Sequence, residues 1–462
     1  MDIKRKDYQK LLDWKNRKNH KPLIVEGLRQ VGKSYLVDKF VNENYEHKVV
    51  FDFRYNKDIH MCFEGNLDVD NIISIARLYI KDAEFVPSKT CIIFEEIGDC
   101  PNARLSLKQF ALDGRYDVIA TGSLLGVINY RHVNRTKIPT GYEEYLKMTS
   151  LDFEEFLWAL NTPTDAIERL KECMMDYSEL PSAYETYFKD ALKKYVLVGG
   201  LPEVVNTFIE ENGNYIKARS KQLDLLHDYR GDFGRFIDDD GNERIDYNLQ
   251  AQLNAIMDSL PGQLGRESEN YKFKYSDIAK GARSSRYANA VEWLEKSGLV
   301  LRVYNVSAIE SPLKSNVNAN NFKMFYADIG LLMANLPISV SQEFVNEILG
   351  SKKGAIYENL VATTLDKTGF PLMYYGDSEK HLEIDYLIEG KNGIILLESK
   401  ATNGKMAASK AVMEGKTPYK AEKCIKIILN NFGKGEFYCS IPQYCTNFYL
   451  QKEMDDLNNI II

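Results

Sequence analysis

Gly27, Gly32, Lys33 and Ser34 stand in the spacing Gly-x-x-x-x-Gly-Lys-Ser within KPLIVEGLRQVGKSYLVDKF, residues 21–40. Residues of these types at that spacing suit a chain of phosphates. Glycines let the backbone bend until its amide N–H groups converge on phosphate oxygens. A helix that begins at the same place adds the positive end of its dipole. Lys33 would reach the β- and γ-phosphates, and the Ser34 hydroxyl would ligate Mg²⁺. The cradle runs through Gly27, Leu28, Arg29, Gln30, Val31, Gly32, Lys33, Ser34 and Tyr35. The flanks agree with it. Leu23-Ile24-Val25 reads as a buried parallel strand, and Tyr35, Leu36, Val37 and Phe40 recur at helical spacing. The ligand expected here is ATP with Mg²⁺.

A phosphate site of this kind needs acids nearby. TCIIFEEIGDC places Glu95 and Glu96 at the C-terminal end of an apolar strand, the end that faces the ligand crevice in an open α/β sheet. Glu95 would hold Mg²⁺ and Glu96 would polarise the attacking water. Aspartate is the usual first residue, and Glu95 is one methylene longer. The strand within YDVIATGSLLGV has a polar tip at which Thr121 or Ser123 could sense the γ-phosphate. Arg131 and Arg135 follow it as candidate γ-phosphate contacts.

A second set of reactive types lies in EIDYLIEGKNGIILLESK, residues 383–400. Two strands joined by a turn at Lys391–Gly393 would bring Asp385 beside Glu398. Lys400 would share the Glu398 face, two residues on. Phosphodiester hydrolysis needs a metal on hard oxygen ligands and an activated water. Asp385 and Glu398 could hold Mg²⁺ with the Ser399 carbonyl, Lys400 could orient or help deprotonate the water, and Glu358 could add a ligand. The bland reading is a salt bridge from Lys400 to either acid, since a carboxylate set among apolar residues is costly without a partner.

The elements that must position these groups follow from the pattern. Strands 23–25, 47–54 and 91–94, one within YDVIATGSLLGV and one within EYLKMTSLDFEEF, alternate with helical segments. That is an α/β fold with a doubly wound parallel sheet. The expected order is a nucleotide-binding core over 1–160, a helical lid over 161–265, a winged helix over 266–337 and a C-terminal α/β/α domain over 338–462. The winged helix rests on Ser276 capping a short helix, a turn at 281–284, a helix with Tyr287, Val291 and Leu294 on one face, and the ribbon LVLRVYNV/FKMFYADIG. Arg283 and Arg286 could meet DNA, whereas Glu292 and Glu295 on the same helix would repel it, so DNA contact and protein packing both stay open. IDDDGNER, 237–244, lacks the spacing of a calcium loop and reads as a solvated turn.

Composition narrows the class. The 462 residues carry a net charge of −7, which argues against a surface coated for indiscriminate DNA binding. No apolar run is long enough to span a bilayer, so no membrane partner is expected. The basic N-terminus has no apolar signal core, and the seven cysteines are dispersed, so a cytoplasmic location is expected.

Taken in order, GLRQVGKSYL, IIFEEIGDCP, IATGSLLGV, IPTGYEEYLKMTSLDFEEFLWAL and YVLVGGLPEVV resemble a family of bacterial and archaeal AAA-type P-loop ATPases. Its members carry a C-terminal domain similar to a PD-(D/E)XK nuclease fold. The resemblance covers essentially the whole chain and implies ATPase activity at Lys33 and Glu96. It also implies a nuclease-like set at Asp385, Glu398 and Lys400. Gly199–Pro202 resembles the GxP turn of STAND-type signalling ATPases, which in those proteins lies near the nucleotide. Two functions follow: a DNA-processing factor gated by ATP, or a switch that binds a protein partner or itself without cutting.

Overall fold

The computed structural model describes residues 2–124, 141–237, 243–265, 272–350, 353–377, 382–400 and 406–460. Arg131, Arg135 and most of IDDDGNER lie outside these residues. The chain divides into two compact units. One comprises residues 2–150 with 296–298; the other comprises Leu151–Glu295 and Leu299–Ile462.

The first unit is built on a parallel sheet. Its strands are β1 (Leu23–Gly27), β2 (His47–Asp52), β3 (Thr90–Glu95), β4 (Asp117–Ser123) and β5 (Glu144–Met148). Their order is β2-β3-β4-β1-β5. Strands buried on both faces read as unbroken apolar runs, and Ile24, Val25, Ile92, Ile93, Phe94, Ile119 and Ala120 are all buried. Phe51, Phe53, Phe63, Phe94 and Phe110 pack on one face. Phe53 and Phe63 meet edge-to-face with ring centroids 5.3 Å apart. The register puts Gly27 level with Ser123, and Asp52 level with Glu95, so the polar tips share one end of the sheet.

The second unit opens with helices, as expected from their patterning: Phe153–Ala159, Thr164–Asp176, Ser182–Val198, Pro202–Glu210, Tyr215–Gly231 and Tyr247–Leu264. Asp152 and Glu155 cap the first of these reciprocally, satisfying two backbone donors at the helix start. A small ribbon, β6 (Arg235–Ile237) with β7 (Glu243–Ile245), interrupts the helical run. The Gly199–Pro202 turn is locked inside this unit. Gly200 N–H donates to buried Asp328 (2.9 Å), and its carbonyl accepts from Leu151 N–H (2.7 Å). The Leu151 carbonyl accepts from Tyr195 Oη (2.7 Å) and Lys367 Nζ (2.8 Å).

The winged-helix expectation needs correction in its first and last parts. Only a short 3-10 turn, Tyr275–Asp277, stands where the Ser276-capped helix was expected. The helix Ser284–Ser297 is present, with Tyr287, Val291 and Leu294 buried. The ribbon β8 (Val300–Val306) and β9 (Val317–Tyr326) is antiparallel as expected but is not a free wing. β10 (Met373–Asp377) pairs parallel with β8, and β11 (Leu382–Ile384) pairs with β10. The sheet order is β11-β10-β8-β9, so it crosses the boundary drawn at 337. The reason is burial: Val300, Leu301, Val303 and Val306 are all inside, which a solvated wing does not require.

The C-terminal sheet comprises β12 (Tyr386–Glu389), β13 (Ile394–Ser399), β14 (Lys423–Ile428), β15 (Gly433–Lys434) and β16 (Cys439–Pro442), in the order β12-β13-β14-β16-β15. The helices Lys353–Thr368, Ala407–Met413 and Thr446–Asn458 accompany it. The strand expected before the Lys391–Gly393 turn is therefore not continuous. It breaks at Asp385, with β11 in one sheet and β12 in the other.

A Cβ at position 200 would lie 2.1 Å from the Leu151 carbonyl oxygen, which is backbone and cannot swing aside. Gly200→Ala is expected to cost the second unit about 3 kcal/mol, read as a lowered midpoint in urea unfolding.

Candidate functional site

In the first unit the loop after β1 closes on itself. A side chain at Gly27 would meet the Met148 carbonyl oxygen at 2.1 Å, so only glycine lets β5 pass so near the loop. Gly32, at φ +91°, opens the helix Lys33–Asn44. Lys33 is buried and its ammonium donates to the carbonyls of Gly27 (3.1 Å) and Leu28 (2.9 Å). Burial pushes the Lys33 ammonium down to about 8, against the opposing pull of Glu96 and Glu95. Leu28 and Val31 are buried and hold the loop to the core, while Tyr35 is exposed and its hydroxyl meets Asp2 at 3.1 Å.

β4 stands between β1 and β3, and that order creates the polar chain at the sheet end. One oxygen of Glu95 accepts from Ser34 Oγ (2.7 Å) and from Thr121 Oγ1 (2.7 Å). Thr121 Oγ1 in turn accepts from Glu96 N–H (3.3 Å). The helix, the acid strand and the intervening strand thus meet at a single carboxylate oxygen. The extra methylene of Glu95 does not keep it from Ser34. Thr121, expected to sense phosphate, is bonded to Glu95; Ser123 lies at the tip of the same strand.

Glu96 sits in the left-handed region at φ +53°. Its carboxylate pairs with Arg54 (3.2 Å), which also holds Asp99 (3.0 Å). Arg5, buried, clamps the loop from behind by donating to the carbonyls of Val31 (2.9 Å) and Thr149 (2.6 Å). Neither arginine was read from the sequence. Arg54 carried a signal, since it follows β2 at the same sheet end as Glu95; Arg5 carried none beyond a basic N-terminus.

In the second unit the β12–β13 hairpin is present, and its register, Tyr386 opposite Leu397, sets Asp385 across from Glu398. The Lys400 ammonium bonds both acids, at 2.8 Å to Asp385 and 2.8 Å to Glu398. Asp385 also accepts from Ser399 N–H (2.8 Å), and Glu398 from the Ser409 hydroxyl. Burial pushes the Glu398 carboxyl up to about 7, helped by the Asp385 charge and opposed by Lys400. Glu358 is held elsewhere. Its carboxylate lies 3.2 Å from Lys323 Nζ, on β9, and the same ammonium is 2.7 Å from Glu383. Burial pushes Glu358 up to about 8. Among the described residues, no three Asp, Glu, His or Cys side chains are gathered to hold one metal ion.

Arg283, just before the helix Ser284–Ser297, and Arg286 and Glu292 on it are exposed, whereas Glu295 pairs with Arg302.

Residues 19–157 match the family model described as an AAA domain. The first unit carries an AAA-type P-loop ATPase domain. Residues 189–342 and 353–444 match two further models, each described as a domain of unknown function (DUF8612 and DUF4143). No curated protein matches the chain. Among solved structures, the Walker-type ATPase of Pyrococcus abyssi overlays with a TM-score of 0.40 at 13% identity, over 72% of this chain and 96% of that one. The ORC2 protein of Aeropyrum pernix, in its ADPNP–ADP complexes, gives 0.34 at 11% identity, over 76% and 95%. A STAND protein with a tetratricopeptide repeat sensor from Pyrococcus horikoshii gives 0.25 at 15% identity, over 79% of this chain and 46% of that one. These scores are low, and the site rests on its own geometry. No helix among the described residues is long and apolar enough to cross a membrane.

With Lys33 held down to about 8, phosphate binding restores its proton. Above pH 8 nucleotide binding is expected to take up a proton and to weaken as pH rises. Titration calorimetry in buffers of different ionisation enthalpy measures both.

Proposed function

We propose that this protein binds and hydrolyses ATP with Mg²⁺ and that its nucleotide state governs a DNA-processing, nuclease-like C-terminal region. One observation carries the ATPase half: Ser34, Glu95, Thr121 and the Glu96 N–H are linked by bonds of 2.7 to 3.3 Å at the end of a parallel sheet, next to a buried Lys33 that bonds the Gly27 carbonyl of the loop at 3.1 Å. Lys33 would exchange its two carbonyl partners for phosphate oxygens, with the amides of Gly27–Tyr35 closing around them. Ser34 Oγ and the Glu95 carboxylate are hard oxygen donors already in contact, which fits Mg²⁺. The ion would neutralise phosphate charge. Glu96 is the acid left to orient water, and Arg54 fixes where its carboxylate points.

In the C-terminal region Asp385, Glu398 and the Ser399 carbonyl supply oxygen donors of the same kind, and a divalent ion there would polarise a phosphodiester. Lys400, beside both acids, would orient the attacking water. Exposed Arg283 and Arg286 offer contacts to a DNA backbone. A second reading is favoured by the same lysine. Lys400 already balances Asp385 and Glu398 at 2.8 Å each, so the set is stable as a scaffold in a switch that binds protein partners or its own copies without cutting.

Lys33→Ala is expected to abolish ATP binding by calorimetry. Glu96→Gln should keep binding but lower kcat by about 100-fold or more. Circular and linear DNA incubated with Mg²⁺ or Mn²⁺, with and without ATP, separates the two readings. Cutting that disappears in Asp385→Ala supports the nuclease. ATP hydrolysis with no cutting of any substrate supports the switch.

A further inference from the structure

Both ends of the phosphate loop are fastened to one short stretch of chain. Gly27, where the loop begins, lies so near the Met148 carbonyl that a Cβ there would sit 2.1 Å from its oxygen. Val31, near the loop's end, is joined to the next residue, Thr149, through Arg5. Arg5 is 7% exposed. It gives Nη1 to the Val31 carbonyl at 2.9 Å and Nη2 to the Thr149 carbonyl at 2.6 Å, and has Asp7 at 3.7 Å. The Val31 peptide needs such a hold. Gln30 at φ +64° and Gly32 at φ +91° flank it in the left-handed region, which for a glutamine persists only where the surroundings enforce it. Left-handed turns of this kind make successive N–H groups converge into a concave anion site.

A trans peptide is planar, so its C=O and N–H point in opposite directions. With the Val31 oxygen bonded to Arg5, the Gly32 N–H points away from Arg5, at the start of the helix Lys33–Asn44, whose dipole favours an anion. We propose that Arg5 is a positioning residue of the nucleotide site. It turns the Val31–Gly32 peptide so that the Gly32 amide faces the phosphates, and it fixes that orientation before nucleotide arrives. This inference rests on the reading of Gly27–Tyr35 as an ATP site. Arg5 acts through the peptide and not by touching ATP. An amide set in advance binds phosphate without first being ordered, so the gain is one of affinity. Gly32 would hold the phosphates in the bound nucleotide and in the transition state alike, so releasing it raises KM and leaves kcat in place.

The test is steady-state ATP hydrolysis by the full chain and by Arg5→Met, with ATP binding measured by calorimetry. Arg5→Met should raise KM and Kd by about tenfold or more, the loss expected for a hydrogen bond to a charged group, with kcat kept within about twofold. A merely structural arginine gives the opposite split. Part of the protein is then inactive, so kcat falls while KM is unchanged, and that result would overturn the inference. So would constants unchanged in both. A second readout needs no change at Arg5. The chain has two Val-Gly peptides, 31–32 and 198–199, so ¹³C at the valine carbonyls with ¹⁵N in glycine selects two amide signals. Val31→Ile removes the Gly32 signal and so identifies it. The Gly32 amide should shift when Mg²⁺ and ADP are added to the unaltered chain. A Gly32 signal left in place by saturating ADP would overturn the inference whether or not Arg5→Met folds. An unaltered chain that neither binds nor hydrolyses ATP would sink the ATP reading, and this inference with it.

Discussion

An ionised carboxylate removed from water has to be met by a cation or by hydrogen-bond donors, and both sites on this chain are arranged around that constraint. At the sheet end of the first unit, Glu95 is met by two hydroxyls and Glu96 by Arg54. In the C-terminal region two lysines serve four acids. The contrast lies in exposure. Ser34 is open to solvent and Glu95 only half-buried, which suits a ligand that enters and leaves. Glu358, Glu398 and Lys323 are closed in, which suits a set assembled once, on folding.

The position of β4 has a direct chemical result. β4 stands between the phosphate-loop strand and the acid strand, and its Thr121 bonds the same Glu95 oxygen that accepts from Ser34.

How much of this was legible depended on how local the determinants are. The phosphate loop was readable because its contacts lie within a few residues: Lys33 bonds Gly27 and Leu28. The β12–β13 hairpin was readable for the same reason, a short turn between two apolar runs. Arg5 acts on Val31 and Thr149, and Lys323 acts on Glu358 and Glu383; no spacing rule reaches so far along a chain. The ribbon β8–β9 was visible as alternation. Which strand its edge would join, β10, was not visible, because strand pairing is settled by burial across the whole unit. The split at Asp385 had no composition signal, since both halves are apolar enough to be strand.

That split has a consequence for where this protein can be cut. β10 and β11 leave the region matched over 353–444 to complete a sheet begun by β8 and β9. A fragment starting at the helix Lys353–Thr368 would carry β10 with its partner edge stripped, and Glu358 and Glu383 with no Lys323 between them. Bare edges of that kind recruit strands from other molecules. The segment that a family boundary marks as one domain is therefore a physical unit only together with residues 300–326, and the smallest autonomous piece of the C-terminal region begins well before the boundary does.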